Sequence, residues 1–220
     1  MDQIYKLDLH THSIISHDGG ITDEQYHAIF SDSSAGKNFV AITDHNEISK
    51  ALSLRQKFGE QVIVGEEILS SDGEIIGLFL KEKIQPNLSA EETARQIQDQ
   101  GGLVYIPHPL EKSRKGLPME ILNKLAAMID LIEVFNARLR EPWFLKKVEK
   151  FTLEHGLIGT ASSDAHGIWG FGSAYAELAQ APNRGSLVSL VTAAKLVKNR
   201  APLISFLYPT TNRLKKKFNL

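Results

Sequence analysis

Four short polar clusters hold the residues best able to do chemistry: Asp8-Leu9-His10-Thr11-His12, Thr43-Asp44-His45-Asn46, Pro107-His108-Pro109 and Ser163-Asp164-Ala165-His166. Each closes an apolar run, and together they contain five of the eight histidines. Val64-Gly65-Glu66-Glu67 has the same form, with carboxylates in place of imidazole. Imidazole nitrogens and carboxylate oxygens are donors that accept zinc, manganese or iron. Delivered repeatedly from strand ends, they suit a site with more than one ion, and a metal-dependent hydrolase is the leading expectation. His10 and His12 are two apart, so in a strand both side chains point to one side and can grip one ion. Asp164 and His166 repeat that spacing. Asp8 and Asp44 stand beside histidines and are read either as acceptors that orient imidazoles or as buried or capping carboxylates.

The elements that deliver these clusters alternate along the chain. Segments 4–9, 39–43, 61–65, 75–80, 103–106, 131–135 and 157–161 read as strands, continuous in apolar character as strands covered on both faces tend to be. Segments 22–31, 48–58, 89–100, 118–128, 142–155 and 186–198 read as helices. Thr22 to Gln25 and Ser89 to Glu92 fit the capping-box pattern, and Pro142 suits a first helical turn. Strands alternating with helices indicate α/β architecture, either a barrel or an open sheet. The polar clusters follow strands spread from His10 to His166 rather than one switch point. A barrel brings all such strand ends to one mouth, so a barrel is expected.

Composition narrows the function further. At 220 residues the chain can bury the core of one domain. A formal net charge of −1 gives no global pull toward nucleic acid or an anionic membrane. The run from Arg213 to Lys217 is read as a solvated basic face. There are no cysteines, which removes thiolate metal sites and cysteine nucleophiles and leaves His, Asp and Glu as ligands. No run approaches the roughly 18 apolar residues of a membrane span, and the first residues lack the apolar core of a signal peptide, so a cytoplasmic location is expected.

Asp8 to Ser13, Ala41 to Asn46, Gly65-Glu66-Glu67, Pro107-His108-Pro109 and Ser163 to His166 closely resemble, in order and spacing, the motifs of the PHP (polymerase and histidinol phosphatase) family. The likeness runs over about residues 7 to 172. It implies a distorted (β/α)7 TIM-like barrel over 1–220, with 200–220 as a C-terminal tail and two or three divalent ions (Zn, Mn or Fe) at the C-terminal strand ends. By this likeness His10, His12, Glu67 and Asp164 hold the first ion. Glu67 bridges to a second, which His108 also binds, and Asp18, His45 and His166 hold a third. His17 stands as an alternative to Asp18, and Glu66 to Glu67. Glu74 is read as a ligand, a base or, preferably, a solvent-facing strand residue. Asn136 occupies a position that is histidine in some relatives.

Hydrolysis of a phosphate ester by metal-activated water is the chemistry best suited to such ions. The substrate class is a small phosphomonoester or short nucleotide, and no stable nucleic-acid complex or membrane partner is expected. Arg114, in the loop after His108, is the leading phosphate ligand because its planar fork matches phosphate oxygens. Asn136 is a second substrate-binding candidate, and Arg138 and Arg140 are further cations. Trp143 and Trp169 are read as core residues, with Trp169 alternatively walling the mouth. Other readings are a noncatalytic PHP-type metal-binding or interaction domain and a C–N bond hydrolase of amidohydrolase type. Oligomeric state is not legible.

Overall fold

In the computed structural model, which describes residues 3–32, 34, 36–140 and 142–218, the apolar runs become strands of one sheet. β1 (Tyr5–Thr11), β2 (Lys37–Ile42) and β3 (Val62–Leu69) pair in parallel. So do β5 (Leu103–Ile106), β6 (Leu131–Asn136) and β7 (Ile158–Ser162). Between these sets β4 (Glu74–Leu78) runs antiparallel to both neighbours. Beyond β1 lie β8 (Ala174–Leu178) and then β9 (Lys195–Lys198), each antiparallel to its neighbour. The order is β7-β6-β5-β4-β3-β2-β1-β8-β9. The sheet curls until its ends nearly meet, and His12 N donates to Ala165 O at 2.9 Å across the gap.

The result is a mixed α/β fold with a nearly closed, barrel-shaped sheet of nine strands, not seven repeated strand–helix units. Besides β8, which no expected segment covers, two local features make the difference. β3 and β4 are joined by a tight turn rather than a helix: Ser70 N donates to Gly73 O at 3.0 Å, and Gly73 adopts φ +145°, open to glycine. The segment expected as a helix over 186–198 stops early, as α6 (Leu187–Thr192), and its last residues form β9. β9 is a four-residue edge strand with lysine at each end, a common way to blunt an edge.

Helices α1 (Asp23–Ser31), α2 (Ser49–Phe58), α3 (Ala90–Asp99), α4 (Met119–Leu125) and α5 (Leu145–Glu154) fall within the expected segments. The Thr22 capping box closes reciprocally with Gln25, whereas Ser89 makes the forward bond to Glu92 N. Alternation along the strands sorts the core. Val40, Ile42, Val62 and Val64 pack outward under the helices, while Leu7, Leu9, Phe39, Ala41 and Ile63 fill the inside. Alternation from Leu7 already places Leu9 in the inner core, and the register slip to β2 between Asp8 and Thr11 accompanies His10 turning into the mouth above it.

The expected tail contains a 3-10 turn at Leu203–Leu207 and then helix α7 (Tyr208–Phe218), laid against the mouth. Its last two residues, 219 and 220, lie outside the described residues. Trp143 and Trp169 are exposed rather than core.

Candidate metal centre

Strand ends bring the expected ligands into one mouth. His10 Nε2 and His12 Nε2 lie 3.1 Å apart, and both are 3.3 Å from Glu67 Oε2. Asp164 Oδ1 stands 3.6 and 3.4 Å from the same two nitrogens. Glu67 faces two ways, with Oε1 2.9 Å from His108 Nε2 and Oε2 3.2 Å from His45 Nδ1. Asp18 lies between His45 Nε2 at 3.6 Å and His166 Nε2 at 3.4 Å. Donor atoms of His10, His12 and Glu67 fall within 4.8 Å of one another, as do those of His12, His45 and His166. So many buried nitrogens and carboxylates facing each other are costly unless a cation lies among them, and the donor set fits divalent transition ions.

The paired alternatives separate by direction. Asp18 is buried in the cluster, whereas the His17 side chain is 59% exposed. Strand alternation turns Glu67 into the mouth and Glu66 away, where its Oε2 accepts from Ile84 N at 2.9 Å. Glu74 is not solvent-facing: it is buried, with its carboxylate 3.6 Å from both His45 Nδ1 and His108 Nε2. The reversal of β4 explains this, because its first residue lies where parallel strands have their last. Burial, then the neighbouring Glu67 charge, pushes the Glu74 carboxyl up to about 9.

Arg114 reaches into the site. Its guanidinium pairs with Asp164 Oδ2 and donates to Asn136 Oδ1 at 3.0 Å. Asn136 is buried; its Nδ2 donates to Glu133 Oε2 at 2.8 Å and to Asp164 Oδ2 at 3.2 Å. Arg138 is also buried, with Nη1 2.8 Å from His166 Nδ1 and 3.3 Å from Asp164 Oδ1. Burial and then the charges of Arg114 and Arg140 lower Arg138 to about 9. The mouth opens into a cavity of about 200 Å³, whose lining includes Lys115, Arg140 and Arg213 as well as Arg114 and Arg138.

Neither Asp8 nor Asp44 accepts from an imidazole. Asp8 Oδ1 accepts from His10 N at 3.3 Å and Ser163 N at 3.1 Å, tying β1 to the end of β7. Asp44 accepts from Ser13 N at 2.7 Å and Ser13 Oγ at 2.5 Å. The imidazole-orienting carboxylate is Glu133 on β6, which sequence reasoning did not single out. His10 Nδ1 lies 3.3 Å from Glu133 Oε1, which also accepts from Tyr105 O–H at 2.9 Å. Glu133 Oε2 accepts from His108 N at 2.6 Å. Burial works to raise the Glu133 carboxyl, yet the His10 hydrogen bond and nearby positive charge hold it at about 2.

Protonation states follow from the same contacts. Burial, reinforced by neighbouring positive groups, lowers His12, His45 and His166 to about 3 and His108 to about 4, so these rings are neutral at pH 7. Burial opposes charge on His10 too, but Glu67 and Glu133 overcome it and raise the ring to about 9. Backbone strain collects at the same place: His108, Asp164 and Asn46 have φ of 27°, 49° and 49°. Such conformations cluster at functional sites, where surrounding structure holds them.

Residues 142–196 match the family model described as PHP-associated. The chain is 33% identical over 180 residues to uncharacterized protein MJ0417 of Methanocaldococcus jannaschii, covering 80% of this chain and 71% of that protein. It is 45% identical over 109 residues to uncharacterized protein MJ1587 of the same organism; that match covers 48% of this chain and 62%, under two thirds, of MJ1587. The fold is similar to a two-domain protein of Bacteroides vulgatus containing a predicted PHP-like metal-dependent phosphoesterase. There the TM-score is 0.65 at 19% identity, over 90% of this chain and 66% of that one. It also resembles a lesion-specific endonuclease of Pyrococcus furiosus, with TM-score 0.56 at 12% identity, over 88% of this chain and 58% of that one. The chain belongs to the PHP family.

Proposed function

We propose that the protein hydrolyses a phosphate ester, a small phosphomonoester or short nucleotide, with metal-activated water. The observation that carries this reading is the meeting of two unlike sets of groups in one cavity. Five cations, Arg114, Lys115, Arg138, Arg140 and Arg213, share the mouth with the histidine and carboxylate cluster. Metal ligands alone need no such cations, and Arg138, lowered first by burial, is lowered further by the like charges of Arg114 and Arg140. An anionic substrate relieves that repulsion, which favours phosphate esters over the neutral amides of a C–N hydrolase.

His10, His12, Glu67 and Asp164 would hold one ion, Glu67 and His108 a second, and Asp18, His45 and His166 a third. Bound divalent ions supply a water of lowered pKa and charge stabilisation on phosphoryl oxygens. The chain's own groups do the remainder. Glu133 holds His10 with Nδ1 occupied, leaving Nε2 toward Glu67 and Asp164. Glu74 faces the same ligands and is a further candidate for the ion shared by Glu67 and His108. Asn136 brackets Arg114 and Asp164, so its part is to place the arginine that receives the phosphate.

Arg114→Ala tests the anion reading. It should cut kcat/KM for phosphate esters by about 10²-fold, the scale of losing one preorganised charge-stabilising donor, with metal content retained. Unchanged kinetics across mononucleotides, sugar phosphates and short oligonucleotides would remove Arg114 from the substrate site.

A further inference from the structure

The loop from Ser13 to Gly20 leaves the sheet, carries Asp18 into the mouth and returns. Its base is closed by Ile14 N donating to Ile21 O at 3.0 Å and Ile21 N to His12 O at 3.4 Å. Toward the tip, turn bonds run from Ser16 N to Ser13 O and from Gly19 N to Ser16 O, both 3.2 Å, and the carbonyls of Asp18 and Gly19 are met from outside. Donors for the tip come from α7, nearly the whole chain away. Lys216 Nζ donates to Ser16 O and, at 2.9 Å, to Gly19 O. Asn212 Nδ2 donates to Asp18 O at 2.9 Å.

The same Asn212 nitrogen donates to His166 O at 3.0 Å. One buried amide thus ties the main chain of Asp18 to that of His166, whose side chains meet 3.4 Å apart. Its surroundings leave room for it: a Cβ at Gly20 would lie 2.6 Å from Asn212 Nδ2. An apolar residue at 212 would seat the helix by packing, but it would not fix those two carbonyls. Both amide hydrogens go to residues that bear ligands.

We propose that Asn212 is a positioning residue that sets Asp18 against His166 and so makes α7 an integral part of the third ion's site. This rests on the ligand reading above. An ion held by Asp18, His45 and His166 needs the carboxylate and imidazoles at fixed separation, and a loop without strand pairing at its tip does not supply that alone.

Equilibrium Mn²⁺ binding to the full chain, by elemental analysis after dialysis at stepped free-metal concentrations, tests it. Asp18→Ala should abolish one ion per chain and so identify it. In Asn212→Leu the Kd of that ion should rise about 10- to 100-fold while the others stay unchanged. Gly20→Ala, whose new methyl displaces the amide, should weaken the same ion. An unaltered Kd for that ion in Asn212→Leu overturns the role of Asn212 and leaves the ligand reading intact. A full metal complement in Asp18→Ala overturns the ligand reading and the inference with it. Should Asn212→Leu not fold, Gly20→Ala decides: unchanged affinity overturns the proposal.

Discussion

In the proposed ligand set, His10 is the imidazole whose orientation its neighbours fix most plainly. Glu133 stands at its Nδ1, while Nε2 faces His12, Glu67 and Asp164. Removing such a partner leaves the ligand in place but lets it turn. Glu133→Gln should therefore weaken the first ion about 10- to 100-fold, read by metal titration, without abolishing folding. Wild-type affinity would show that the His10 ring is fixed by packing alone. That His10 with His12 and Asp164 with His166 face one mouth was legible from residue type and spacing, whereas Asp18 and the two-sided placing of Glu67 were expected only through the likeness to PHP motifs. Asp8 and Asp44 were less legible, since a carboxylate beside a histidine serves backbone N–H groups as readily as imidazole. Glu133 had one signal, a carboxylate inside the apolar run 131–135, where an acid is unexpected unless it has a partner.

At the scale of elements, strand direction decides what reaches the mouth. Reversed β4 presents Glu74, and Glu74 N also donates to Lys115 O at 2.9 Å, which anchors the loop carrying Arg114. Apolar runs look alike in either direction, so the sequence signals strand β4 but not its reversal. β8 alternates buried and half-buried residues, and β9 is a short edge, so neither has the continuous apolar form of the inner strands. Asp8 fastens the sheet's near-closure by holding His10 N and Ser163 N. Asp8→Ala leaves both buried donors without that acceptor and should cost about 1–3 kcal/mol at pH 6, measured by denaturant unfolding in chelator. Asp8→Asn keeps an acceptor oxygen and should cost less; equal losses would point to charge instead.

For the whole molecule, the buried cluster ties stability to pH and metal. In the metal-free protein His10 and Glu74 keep their protons to about pH 9. The unfolded chain releases them near their ordinary values of 6.5 and 4.5. The folded state therefore binds more protons between pH 7 and 9, and its stability falls as pH rises through that window. The four depressed histidines are largely neutral in both states there and add little, and Arg138, lowered to about 9, opposes the trend only at the top of the window. Thermal unfolding in chelator should give a lower Tm at pH 9 than at pH 7. Saturating Mn²⁺ should flatten the decline, because an ion displaces the same protons. A Tm that climbs from pH 7 to 9 without metal would contradict this proton assignment.

The most direct measurement combines metal content with turnover on the untagged full chain. After loading with Mn²⁺ or Zn²⁺ and exhaustive dialysis, two or three ions per chain are expected, with phosphate release that chelator abolishes and His12→Ala lacks. A wild-type chain that retains no ion under either loading would contradict the metal centre outright.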